Sequence, residues 1–210
     1  MSRAESSTGA RATLAGRLWY WWSLFVAGVL LLVLGPPAIA LSLLSGRRER
    51  LYPWALWGGR RWLQLSGARV RVSGLERLDP RRSYVFIANH RSFLDTATLF
   101  CFVGRRIGLV AKKELLKVPI LGYGMGFVNV LAIDRSNRER AMRTMKAATD
   151  RLRAGVSFGV FAEGTRARPG TIEMVLLPPI ETEGLKTDED VKRLTKMTRA
   201  FIAEELGVKP

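Results

Sequence analysis

From Leu18 to Ser45 the chain runs for 28 residues without a charged side chain (LWYWWSLFVAGVLLLVLGPPAIALSLLS), bounded by Arg17 and by Arg47 and Arg48. As one helix this stretch is about 42 Å long, more than the ~30 Å hydrocarbon core of a bilayer requires. Gly35-Pro36-Pro37 interrupts it, which leaves two forms open: one tilted span, or a broken segment that dips in and returns. Trp19, Tyr20, Trp21 and Trp22 gather at its start, where an interfacial aromatic belt would lie. A buried core helix and a cleaved signal peptide are the bland alternatives. The signal peptide fits poorly because its apolar stretch is shorter and ends in small residues. Arginine is commoner after the run (Arg47, Arg48, Arg50, Arg60, Arg61) than before it (Arg3, Arg11, Arg17). That bias orients the body of the protein to the cytoplasmic side of a cell membrane.

The remaining 1–17 read as a polar tail, and 18–66 as the anchoring and interfacial unit. Within it, Leu51 to Leu65 sets Trp54, Leu56, Trp57, Trp62, Leu63 and Leu65 among Arg60 and Arg61. This stripe suits a helix lying on the bilayer surface, and it suits equally one packed on the domain.

Composition narrows the rest. An apolar content of 48% excludes whole-chain disorder, and the single cysteine excludes a disulfide scaffold. One histidine and one cysteine cannot supply the nitrogen and sulfur ligands of a zinc site. The formal charge of +16 calls for an anionic partner. No nucleic-acid module is visible, and the dinucleotide fingerprint, P-loop and G-x-S-x-G elbow are missing.

From Gly67 onward short β-rich runs alternate with helical periods. Ala68–Ser73 alternates with period two; Tyr84–Ala88 is a continuous apolar run of the kind covered on both faces. Further strands are expected at Ile107–Ala111, Val156–Phe161 and Thr171–Leu177. Helices are expected at Ser92–Phe102, at Ser136–Ala154 with Gly155 as the stop, and from a capping box at Thr187–Asp190 to Gly207. This alternation predicts an α/β domain over 67–210, a mostly parallel sheet flanked by helices.

Three stretches could carry chemistry. Asn89-His90-Arg91-Ser92-Phe93-Leu94-Asp95 follows a strand and holds the only histidine, at the edge where open α/β sheets place their sites. With Ser92 as N-cap, His90 lies in the loop and Asp95 in the first turn. The carboxylate can then fix the imidazole tautomer and support the imidazolium. Ser92 and Asp95 could equally be a capping box, with the aspartate used structurally. Phe161-Ala162-Glu163-Gly164-Thr165-Arg166 also follows a strand. It offers close backbone approach at Gly164, an acceptor at Glu163 and a guanidinium fork at Arg166, although an ordinary turn would look the same. Ile133-Asp134-Arg135 stands between an apolar stretch and a helix start, and taken alone reads as a solvated pair.

In this order the three blocks resemble the glycerolipid acyltransferase family, specifically its 1-acyl-sn-glycerol-3-phosphate acyltransferases, from about Trp54 to the C-terminus. His90 with Asp95 is similar to the family's His-x4-Asp motif, Ile133-Asp134-Arg135 to its second block, and Phe161–Arg166 to its Glu-Gly-Thr-Arg block. Pro178-Pro179-Ile180 with Glu181–Leu185 is similar to a strand exit near its C-terminal end. The resemblance implies an α/β fold of this family and the catalytic pair His90 and Asp95. It implies acceptor binding by Arg135, Glu163, Gly164, Thr165 and Arg166, and direct acyl transfer from acyl-CoA or acyl-carrier protein to lysophosphatidic acid. It implies no metal or redox cofactor, and a membrane-lipid partner rather than nucleic acid.

One departure stands out. Only nine residues, Ala162 to Gly170, separate the strand ending at Phe161 from the one starting at Thr171, while a parallel crossover needs a dozen or more. The family's fourth motif is absent there, so a segment between 166 and 171 is expected to be missing, and a central strand with it. The alternative function is accordingly a catalytically impaired membrane-bound relative that binds anionic lipid or an acidic partner.

Overall fold

The computed structural model describes residues 14–90, 92–134, 136–162, 171–185 and 187–207. Its first element, α1 (Leu14–Leu44), is one unbroken helix of 31 residues that continues through Pro36 and Pro37, about 46 Å long. It begins ahead of the apolar run, so Leu14–Arg17 are helix rather than tail. Of the two forms left open, the broken one is not adopted.

Helix α1 does not project away from the body. It lies beside α2 (Leu51–Leu65), the start of one helix against the end of the other. The indole N–H of Trp19 donates to the Ser66 carbonyl at 2.7 Å, and that of Trp22 to the Leu65 carbonyl at 3.0 Å. These are carbonyls that the end of α2 leaves without a helical partner, so two tryptophans of the supposed belt cap a neighbouring helix. Trp62 answers from α2, donating to the Ser23 carbonyl at 2.9 Å, while the hydroxyls of Ser23 and Ser66 pair at 2.7 Å. Further along, Ala38 joins a buried cluster with Leu51 and Tyr52. Of the two readings of α2, packing on the domain is seen: Leu51, Tyr52 and Leu63 are buried against the body, while Trp54 and Trp57 stay exposed.

The α/β domain follows, with parallel strands flanked by helices, as the alternation predicts. Its elements are β1 (Arg69–Ser73), β2 (Val85–Asn89), α3 (Leu94–Phe102), β3 (Ile107–Lys112), α4 (Leu121–Met125), β4 (Val130–Ile133), α5 (Arg138–Arg153), β5 (Ser157–Ala162), β6 (Thr171–Val175) and α6 (Asp188–Leu206). Asn137 caps α5 by accepting from the Arg140 N–H. The Thr187–Asp190 capping box starts α6, and Gly207 ends it at a φ of 63°.

Strands pair in two separate pieces. Four form a parallel sheet in the order β2-β5-β3-β4, and β1 pairs with β6 alone. One expectation is thereby corrected. The apolar run of β2 is not covered on both faces, because β2 is an edge strand on which Val85 and Ile87 remain 50% and 44% exposed. Between the pieces runs a slot of about 810 Å³, lined by all of β2, by Ile172–Val175 of β6, by α3, and by Phe201 and Ile202 of α6. Arg82, just before β2, grips Glu181, beyond β6, through two hydrogen bonds of 2.6 Å, and Arg77 donates to the Leu176 carbonyl at 2.7 Å.

Candidate active site

The register of the four-stranded sheet decides what meets at its C-terminal edge. Asn89 pairs with Ala162, and Lys112 with Ile133. His90, the end of β5 at Ala162, and Asp134 therefore all stand at the same edge of the sheet. Adjacent strands lie ~4.8 Å apart, so the exit of β5 is next to His90, whereas that of β4 is about 14 Å across.

His90 and Asp95 are brought together. The imidazole Nδ1 lies 3.7 Å from Asp95 Oδ2, and Nδ1 is buried with no hydrogen-bond partner among the described residues. The side chain as a whole remains 42% exposed, so its open part is away from Nδ1. The separation is longer than a hydrogen bond, and catalytic pairs without substrate are commonly that loose. Asp95 is held by its surroundings: the Ser92 N–H donates to the same Oδ2 at 2.6 Å, and the Asp95 N–H donates to the Ser92 carbonyl at 3.0 Å. The two readings of Asp95 thus coincide in one oxygen, since the bond that anchors the turn also aims the carboxylate at the imidazole. Helix α3 itself starts at Leu94, and the Ser92 hydroxyl accepts from the Leu94 N–H at 3.2 Å.

Two aromatic residues that the sequence reasoning passed over complete the setting. The Phe161 ring lies 4.7 Å from the His90 ring, centroid to centroid. Phe93, inside the histidine motif, packs at 5.4–5.9 Å from Tyr20, Trp19 and Trp62. The turn that carries His90 and Asp95 is thereby fastened to both N-terminal helices. An apolar residue in an otherwise polar loop was the available signal.

Asp134 is not a freely solvated acid. It is buried, with Lys113 Nζ 2.8 Å from Oδ1, the Ser136 hydroxyl donating to the same oxygen at 2.6 Å, and Arg140 3.5 Å from Oδ2. The bonds from Lys113, then Ser136, hold its carboxyl far below the usual carboxylate range. It braces the turn between β4 and α5. Arg135, Glu163, Gly164, Thr165 and Arg166, the other expected site residues, lie outside the described residues.

A histidine near a carboxylate at a strand exit, on a parallel sheet flanked by helices, is an arrangement with the chemistry to serve as a general base. Comparison with known proteins assigns the class. Residues 69–195 match the Acyltransferase family, and the chain belongs to that family. An uncharacterized acyltransferase of Schizosaccharomyces pombe is 38% identical over 111 residues, 52% of this chain and 39% of that protein. The 1-acyl-sn-glycerol-3-phosphate acyltransferase of Pseudomonas aeruginosa is 34% identical over 112 residues, 52% of this chain and 43% of that one. The alignments thus span about two fifths of these curated relatives. The crystal structure of the 1-acyl-sn-glycerophosphate acyltransferase from Thermotoga maritima superposes with a TM-score of 0.74 at 21% identity, covering 95% of this chain and 99% of that one. The fold is shared along nearly the whole length.

Proposed function

We propose that this chain transfers a fatty acyl group from a thioester donor, acyl-CoA or acyl-carrier protein, to the free hydroxyl of 1-acyl-glycerol-3-phosphate, forming phosphatidic acid. The observation that carries this reading is His90 Nδ1 facing Asp95 Oδ2 at 3.7 Å while the side chain stays open away from Nδ1. His90 Nε2 accepts the proton of the attacking hydroxyl as the oxygen bonds to the thioester carbonyl carbon. The C–S bond then breaks, and the imidazolium returns the proton to the departing thiolate. Asp95 keeps the proton on Nδ1 and supports the transient positive charge.

The acceptor's glycerol phosphate is assigned to Arg135, Glu163, Gly164, Thr165 and Arg166, the guanidinium groups taking the phosphate and Glu163 accepting from a hydroxyl. Supporting this, the chain enters Glu163 from the strand next to His90. The body sits on the cytoplasmic face of a cell membrane, where acceptor and product reside. Metal and redox cofactors have no part in this transfer.

The slot beside β2 favours a second reading. It separates β2 from β6; in this reading the family segment expected between 166 and 171 is missing, and the chain binds anionic lipid or an acidic partner without turnover. Incubating the purified protein with labelled acyl-CoA or acyl-carrier protein and 1-acyl-glycerol-3-phosphate in mixed micelles separates the two. Labelled phosphatidic acid supports the enzyme. Binding to phosphatidic-acid vesicles with no product from either donor supports the impaired relative.

A further inference from the structure

The loop between β3 and β4 carries an unusual amount of exposed apolar surface. Leu115, Leu116, Val118 and Tyr123 are 40%, 52%, 37% and 57% exposed. The backbone is nonetheless well ordered by its own bonds. Lys113–Lys117 form a 3-10 turn, and the Gly122 and Gly124 N–H groups donate to the Val118 and Ile120 carbonyls. A Cβ on Gly122 would stand 2.2 Å from the Leu116 carbonyl oxygen, so the fold of the loop requires glycine there. These leucines are displayed by a built element.

The loop reaches the middle of α1. Ile120 presses on Gly35, where an added Cβ would meet its Cγ2 at 2.2 Å. Ile120 holds a φ of 65°, a conformation that β-branched residues rarely adopt and that costs about 1–3 kcal/mol. Close to this contact, Leu32 and Val33 of α1 are 65% and 63% exposed. The loop is thus fastened to α1 at Gly35, and Leu32 and Val33 precede that contact by less than one helical turn.

We propose that the segment Leu115–Tyr123 is a second membrane-contact element that enters the bilayer at headgroup depth beside α1. The inference rests on reading α1 as the membrane anchor. If α1 seats in the bilayer interface, a loop held against its Gly35 is carried to the same surface, and four exposed apolar side chains match that setting. Exposed Lys112 and Lys117 border the patch, where long stems can cross apolar surface and place the ammonium groups among anionic headgroups. The consequence for the site is direct. The loop leaves β3 at the C-terminal edge of the sheet, two strands from β2, so the proposed membrane-contact segment begins at the same sheet edge as His90.

Single cysteines at Leu116→Cys, Val33→Cys on α1, and Met142→Cys on exposed α5 test this, each labelled with an environment-sensitive fluorophore. Unsubstituted protein controls for the buried Cys101. Vesicles of phosphatidylcholine and phosphatidylglycerol carrying a nitroxide high on the acyl chain are then added. The expected result is a blue shift and at least twofold quenching at 116 and 33, with neither at 142. Leu115→Asp with Leu116→Asp should weaken vesicle binding about tenfold. A response at 33 without one at 116 overturns the proposal and leaves the anchor intact; silence at both overturns the anchor reading itself. A shift at 116 that depends on protein concentration and needs no vesicles marks the face as a contact between copies of the chain, and also overturns it.

Discussion

His90 and Asp134 show how differently two residues of one sheet edge can be used. His90 keeps a buried nitrogen near a carboxylate and an open face toward solvent, the condition for moving a proton. Asp134 is spent on structure, its oxygens committed to Lys113, Ser136 and Arg140. Its depressed pKa has a definite sign. The contribution to stability is complete above the ordinary carboxylate value of 3.8 and is lost as pH falls through the lower folded value. Asp134→Asn should therefore lower Tm at pH 7, and the gap from the native protein should narrow in melts taken progressively below pH 4. Cys101 is a second residue whose environment sets its chemistry. Burial, opposed in part by Arg60, raises its thiol to about 11 from 9.0. At pH 8 the thiolate is about a hundredfold scarcer than that of an unperturbed cysteine, and alkylation should slow by at least that factor until the chain is unfolded.

Close approach of elements sets the second scale. Tyr52 of α2 accepts the Ile107 N–H at the start of β3, a fully buried bond of 3.1 Å. Tyr52→Phe leaves that N–H unpaired and should cost about 1–3 kcal/mol in chemical denaturation. In β3, a Cβ on Gly108 would lie 2.6 Å from the Asn129 carbonyl oxygen and 2.4 Å from the Phe158 ring. Gly108→Ala should thus destabilise by about 1–3 kcal/mol through overpacking, measured the same way. Neither contact was legible beforehand, because both join elements distant in the chain and nothing local marks Tyr52 or Gly108. Local chemistry was more readable. The Thr187 cap, the Gly155 stop and the strand positions followed from propensity and periodicity, as did a turn that could hold Asp95 near His90. The contacts of Trp19 and Trp22 with the end of α2 were not legible either, because amphipathic indoles suit a bilayer interface and the end of a neighbouring helix equally well.

Across the whole molecule, two features govern function. The first is attachment: Phe93 ties the catalytic turn to α1 and α2, and Ile120 ties the loop after β3 to the middle of α1. The second is the slot between β2 and β6. Sequence spacing pointed to a short link between strands, but only the three-dimensional pairing shows two sheet pieces with the whole of β2 along the opening. A sheet broken beside the strand that leads into His90 makes activity the quantity to measure. The decisive comparison is the rate of acyl transfer from a thioester to 1-acyl-glycerol-3-phosphate by the native chain and by His90→Ala, with circular dichroism establishing that both are folded. General-base catalysis by His90 predicts phosphatidic acid from the native protein and a rate about 10²–10⁴-fold lower for the variant. Equal rates from the two proteins would contradict it.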